Sequence, residues 1–401
     1  MHQQQAADAL GVSVRQVKRL VKKHKTDGAK GLISQKRGKV SNRQLSNSTK
    51  ELAVALIREK YIDFGPTLAH EKLVTIHQLK ISLSSIRSLM ILNGLWNERK
   101  KKKKNIHQLR ERRSKKGELV QIDGSPHHWF EDRGPKCSLL LTMDDATSAI
   151  MNGLFAPAEA LWPYFELLSS YVSTHGRMEA LYSDKHSVFK VNHSGALSGD
   201  GITQFGRAMK ELDITMIFAN SPQAKGRIER GNRTLQDRLV KELRLRDICS
   251  IEEANAFLPE FIKEYNNHFA VVPKSPDNAH RPLLKQHNLD LIFTIQTFRT
   301  LSKNLTFQYN NVIYQVLPDK WSMMLRNARV SIREKKEGSI EVLYKDRLLK
   351  VAIYNEQEKQ GEVIDSKCLN QVLDELQTRK NRSKPSYHHP WKRGPHRKIA
   401  C

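Results

Sequence analysis

The hydrophobic period of the chain switches repeatedly between residues 119 and 243, and few folds accommodate that order of switches. Residues 119–123, 138–143 and 149–155 are β-like apolar runs. Residues 159–174 then follow a helical period, 180–183 a strand, 204–212 a helix, 214–218 a strand and 225–243 a long helix. Three consecutive strands followed by alternating helix and strand predict a mixed five-stranded α/β sheet covered by helices.

The sequence around this middle differs in charge. The chain has 401 residues and a net charge of +26. Residues 1–116 carry +20 and residues 378–401 carry +8, which leaves the middle near neutral at −2. Two basic arms around a neutral core suggest that the arms hold a polyanion, because Lys and Arg release condensed counterions when they neutralise phosphates. Charge for solubility is the plainer reading, but it does not require one sign at both ends. No apolar run approaches the length of a membrane span, so no membrane partner is expected. The four cysteines, Cys137, Cys249, Cys368 and Cys401, form no close pair. A reducing, cytoplasmic location, associated with the nucleoid, is therefore expected.

The arms divide further. Residues 1–27 read as a helix-turn-helix, with Gly11-Val12-Ser13 as the turn and Val14, Val17, Leu20 and Val21 on the inner face of the second helix. Arg15, Gln16 and Arg19 lie on its outer face, where such a helix reads bases. A generic basic hairpin would show the same pattern. Only three residues precede Gln4, where such units have a packing helix, so the unit is expected either to be truncated or to be completed by a later segment. Residues 28–48 are a linker, and 49–97 form a second helical DNA-binding unit. Residues 98–117 are a basic tether containing Lys100, Lys101, Lys102, Lys103 and Lys104. Like charges at this density repel, so the run is a solvated spacer that becomes a phosphate clamp when DNA is present. Residues 286–304 read as a linker, 305–376 as a small β-barrel, and 377–401 as a basic tail, disordered until it binds.

Three acids stand out within the 118–285 core. Asp123 ends the first strand, Asp184 follows the fourth, and Glu229 lies near the start of the long helix. Carboxylates brought to one sheet edge can hold hard divalent ions, and two such ions can activate the attacking oxygen and stabilise the leaving oxygen of a phosphodiester. Each acid alone also fits a turn or cap. Asp144 and Asp145 fit a turn better than a metal site. His127 and His128 fit either DNA contact or an ordinary loop.

The residues around these acids are more specific. Gln121-Ile122-Asp123-Gly124-Ser125, Tyr182-Ser183-Asp184 and Ala219-Asn220-Ser221-Pro222-Gln223-Ala224-Lys225-Gly226-Arg227-Ile228-Glu229-Arg230 together resemble the DDE transposases and retroviral-type integrases. The narrower resemblance is to bacterial insertion-sequence transposases of the ISNCY type, carried also by Thr234-Leu235-Gln236-Asp237-Arg238 and by Phe64-Gly65-Pro66-Thr67. It implies a multidomain protein: N-terminal all-α helix-turn-helix units, a ribonuclease-H-like catalytic core and the C-terminal barrel. It further implies two Mg²⁺ or Mn²⁺ ions on Asp123, Asp184 and Glu229, with cleavage and joining of element ends by a homo-oligomer on double-stranded DNA. Lys225 and Arg233 are expected to meet that DNA. The chain departs from the pattern in its longer gap between Asp184 and Glu229, which fits an inserted loop at 188–202. It also lacks the His/Cys zinc module that opens retroviral integrases. A metal-dependent nuclease without joining activity and a non-catalytic DNA-binding derivative are the alternatives.

On the long helix, Glu229, Asn232, Arg233 and Gln236 fall on one face, while Ile228, Leu235, Leu239 and Leu243 lie on another. The apolar face is expected to anchor to the sheet.

Overall fold

A computed structural model describes residues 2–33, 44–98, 110–191, 201–219, 226–317, 322–345, 347–354 and 368–380. The chain divides into two compact units, Met1–Glu111 with Gly231–Ile248, and Arg112–Arg230 with Cys249–Cys401.

The first unit is helical. α1 (Gln3–Leu10) ends at Gly11, whose φ of +62° suits glycine, and α2 (Val14–Asp27) starts under Ser13, whose hydroxyl accepts from the Gln16 N–H. α3 (Asn47–Lys60), α4 (Pro66–Thr75) and α5 (Leu83–Leu92) enclose Ala53, Ile57, Tyr61, Phe64, Leu68, Leu73, Ile86 and Met90. Pro66 opens α4, where its missing N–H costs no hydrogen bond.

The second unit contains the sheet: β1 (Leu119–His127), β2 (Cys137–Asp144) and β3 (Ile150–Ala156), then α6 (Leu161–His175), β4 (Ala180–Ser183), α7 (Gln204–Glu211) and β5 (Thr215–Phe218). The order is β3-β2-β1-β4-β5. β2 runs antiparallel to both β1 and β3, and β4 and β5 run parallel to β1. This mixed five-stranded sheet fits the ribonuclease-H-like core expected from the sequence.

Val120, Ile122 and Leu181 pack with Phe165, Leu168, Tyr171 and Val172 of α6 and Phe205 and Met209 of α7. The edge strand β3 is covered by α9 (Ile251–Phe269). The Asn255 side chain pairs with both backbone groups of Phe155, and Asn266 with both of Ile150, at 2.7–3.0 Å. These amides satisfy donors and acceptors that an open edge would otherwise offer to another strand.

The long helix α8 (Gly226–Leu245) is divided between the units, with residues 226–230 in the second and Gly231–Ile248 in the first. The sequence reading placed it wholly within the catalytic core. Its later turns bury Leu235, Leu239 and Leu243 and also make charge pairs within the first unit. Arg238 grips Glu71 through two N–H donors at 2.7 and 3.0 Å, Glu242 pairs with Lys72, and Arg244 with Asp63. These partners lie more than 160 residues away in sequence, so helical periodicity could not reveal them.

The stretch expected as a linker at 286–304 instead holds α10 (Leu289–Ile292) and β6 (Ile295–Thr300). The Gln204 amide takes both backbone groups of Gln296 and so fixes the start of β6. β7 (Thr306–Tyr309), β8 (Val312–Val316), β9 (Arg329–Glu334), β10 (Ile340–Tyr344), β11 (Arg347–Leu349) and β12 (Val351–Ile353) follow.

Among the described residues these strands form no closed barrel, which corrects the sequence expectation. They form a four-stranded sheet, β11-β10-β9-β6, and a three-stranded sheet, β12-β8-β7. The chain passes between them after β6, after β8 and at Lys350, where β11 ends in one sheet and β12 begins in the other. Phe307, Tyr309, Val316, Val330, Ile332 and Val342 share the core of this region. α11 (Leu369–Lys380) follows, where the sequence reading had the end of the barrel and the start of the tail.

Candidate active site

β1 and β4 pair in parallel as Leu119 with Ala180, Val120 with Leu181 and Gln121 with Tyr182. Continued by two residues, that register sets Asp123 beside Asp184. Asp184 directly follows the last residue of β4, and both acids are half-buried. Parallel neighbours lie about 4.8 Å apart, so the two carboxylates come to the same level and the same face of adjacent strands. The Asp184 Oδ1 accepts the His186 N–H at 3.0 Å, which turns the chain away from the sheet.

A third carboxylate stands close by, and the sequence reading missed it. Glu159 precedes α6, and its carboxyl occupies the space that a side chain at Gly124 would need, one residue after Asp123. The Tyr164 hydroxyl donates to Glu159 Oε2 at 2.9 Å. Burial, then Glu159, Asp123 and Asp184, hold the Tyr164 phenol far above its usual pKa. Three carboxylates thus contribute negative charge around Tyr164. The sequence expectation has Glu159 only as the first residue of a helix; it precedes α6 instead, and only the fold brings it here.

Glu229 lies exposed on the first turn of α8. The residue before it is fixed: the Ile228 N–H donates to Gln121 Oε1 at 3.3 Å. Gln121 Nε2 donates to Asp145 Oδ1 at 2.7 Å, and Arg227 Nη1 reaches the same oxygen at 2.7 Å. The Arg113 N–H donates to Asp145 Oδ2 at 3.0 Å. Asp145 is thus engaged in holding the chain. So is Asp144, which accepts from the Gly117 N–H and from both the N–H and hydroxyl of Thr147. Among the described residues, no three His, Cys, Asp or Glu side chains gather into a group able to hold a metal ion. The structure brings Asp123 and Asp184 together and ties the turn before Glu229 to β1, but it does not close the three into one ligand set.

The other sequence candidates are dispersed. The His127 ring lies edge-on against Trp129 at 5.3 Å, and burial, then His128, lower its pKa. Arg15, Gln16 and Arg19 are exposed on α2, and Arg233 is exposed on α8. Lys100, Lys101, Lys102, Lys103, Lys104 and Lys225 lie outside the described residues. No described helix is long and apolar enough to cross a membrane.

A sheet of this order with acids on β1 and directly after β4 defines a mixed α/β core with a carboxylate-bearing edge. Relatives sharpen that class. The chain is 42% identical over 379 residues to y4bF of Sinorhizobium fredii, provisionally named a transposase, covering 94% of this chain and 83% of that protein. It is 32% identical over 292 residues to the transposase for insertion sequence IS1202 of Streptococcus pneumoniae, covering 72% of this chain and 61% of that protein. The chain belongs to this transposase family.

Solved structures are more distant. A simian T-cell lymphotropic virus intasome in complex with PP2A regulatory subunit B56 gamma aligns with a TM-score of 0.33 and 14% identity, over 72% of this chain and 99% of that one. The HTLV-2 integrase catalytic core domain in complex with magnesium aligns with a TM-score of 0.27 and 17% identity, over 36% and 85%. No family model matches the chain.

Proposed function

We propose that the protein is a DDE transposase that cleaves the ends of an insertion sequence and joins them to target DNA with Mg²⁺ or Mn²⁺. The observation that carries this reading is the β1–β4 register, which sets Asp123 and Asp184 side by side. Their oxygens suit hard divalent cations, and the Glu159 carboxyl beside Gly124 adds negative charge at that end of the sheet. Asp123, Asp184 and Glu229 would hold the metal, as two ions. When bound, the metal supplies an activated oxygen nucleophile and charge stabilisation for the leaving oxygen of the phosphodiester. The half-buried setting of Asp123 and Asp184 limits water around them and strengthens their hold on charge.

The basic segments take the DNA. Arg15, Gln16 and Arg19 are the base-reading candidates. Lys100 to Lys104, Lys225 and Arg233 hold phosphates, and a homo-oligomer on the DNA brings two element ends together. A strand-joining assay with a precleaved element end and a plasmid target tests the reading. Mg²⁺-dependent joined product supports it. Nicking without joining would leave a nuclease, and sequence-specific binding without either reaction would leave a DNA-binding derivative.

A further inference from the structure

The first turn of α8 is held by a buried polar group that apolar packing alone does not require. Ile228 is already fully buried, yet its N–H is also taken by the Gln121 side chain. The first N–H groups of a helix lack partners within it, so this bond satisfies a donor that would otherwise be left bare at a buried position. Gln121 in turn donates to Asp145, which pairs with Arg227 from the same helical turn. Gln121 and Asp145 have no exposed surface, and the Arg227 side chain is 10% exposed. A buried ion pair of this kind forfeits hydration that its attraction only partly restores, so its gain is fixed geometry more than stability.

The chemistry of Gln121 suits a relay. Its Oε1 accepts from the helix while its Nε2 donates to the carboxylate. A glutamate there would set a second negative charge against Asp145. Gln121 also sits two residues before Asp123 on β1, so both side chains leave the same face of the strand.

We propose that Gln121, Asp145 and Arg227 are positioning residues that dock the first turn of α8 onto β1 and so limit the orientations from which Glu229 reaches the Asp123–Asp184 pair when metal binds. The inference rests on Glu229 being the third metal-holding acid. With the dock cut, the turn frays, and Glu229 pays an ordering cost each time metal binds.

The test uses the full-length protein as wild type, Gln121→Met, Arg227→Met, Arg227→Lys and Glu229→Gln. Hydrogen exchange of residues 226–230 is followed without metal, Mn²⁺ binding by calorimetry, and joining of a precleaved end in a single turnover. Both Met variants should exchange faster at 226–230, bind Mn²⁺ about 10–100-fold more weakly, and join more slowly by a similar factor. Arg227→Lys, which keeps a donor for Asp145, should lie between them and wild type. Unchanged exchange and Mn²⁺ affinity in both Met variants would overturn the proposal. So would global unfolding of all three dock variants, which would mark the group as core support. If Glu229→Gln alone keeps full Mn²⁺ binding and joining, the assignment of Glu229 fails instead, whatever the exchange data show for the dock.

Discussion

Asp123 and Asp184 are 61 residues apart in the chain, and 61 is also the register offset of β1 against β4. The separation in sequence is therefore cancelled by the fold. A one-residue slip of β4 would turn Asp184 to the opposite face of the sheet. The apolar residues on β4 prevent that slip, because Leu181 must stay with Val120 and Ile122 in the core beneath α6.

Asp123→Asn, Asp184→Asn and Glu229→Gln should each abolish cleavage and joining while DNA affinity stays within about twofold of wild type. The loss should exceed the roughly 10–100-fold effect typical of residues that only orient a metal ligand. Parallel gel-shift and joining assays with Mg²⁺ and Mn²⁺ check this, and near-normal joining by any variant removes that residue from the site.

Changing Lys100, Lys101, Lys102, Lys103 and Lys104 together to Gln should weaken binding to all duplexes alike. The log–log slope of affinity against salt should fall, since each phosphate neutralised contributes about 0.9. Titrations at several salt concentrations, with element-end and unrelated DNA, measure it. An unchanged slope would mark the run as a spacer.

Arg15 and Arg19 are exposed on α2, whose start is fixed by the Ser13 cap. Replacing either with Ala should cost about 1–3 kcal/mol on element-end DNA and relax sequence preference. Equal losses on random DNA would make them phosphate contacts.

His280 gives a pH signature of stability. Its Nδ1 lies 2.6 Å from Asn278 Oδ1, and its Nε2 lies 2.7 Å from the Tyr171 hydroxyl. The neutral ring satisfies both if Nδ1 donates and Nε2 accepts. Burial, then His175, lower its pKa to about 4. The folded pKa thus lies below the unfolded value, so this contribution is full above about pH 6.5 and lost as pH falls toward 4. Partial exposure limits it to about 1–2 kcal/mol. Thermal melts from pH 7.5 to 4.5 should show the decline, and His280→Gln should flatten it. Gly117→Ala should destabilise at every pH by about 1–3 kcal/mol, because Gly117 has a φ of +83° and its missing Cβ faces the His280 ring.

The sequence by itself determined the elements of the sheet, because period-two and period-3.6 apolar patterns record which face of each element avoids water. It also marked Asp123, Asp184 and Glu229, because the residues flanking each acid are distinctive as local strings. The basic arms were legible for the same reason, since charge is additive along a chain. The tertiary structure alone decided the relationships that join distant strings. Glu159 reaches Gly124 only after α6 packs, Gln121 finds Ile228 across 107 residues, and Arg238 finds Glu71 across 167. The strands at the C-terminal end show the same limit. Their alternation announced β-structure, but whether the strands closed into a barrel or parted into two sheets depended on which strands pair with which. The apolar pattern of a strand resists a slip of one residue, but it does not name the partner strand, because the backbone groups that pair are the same in every residue but proline.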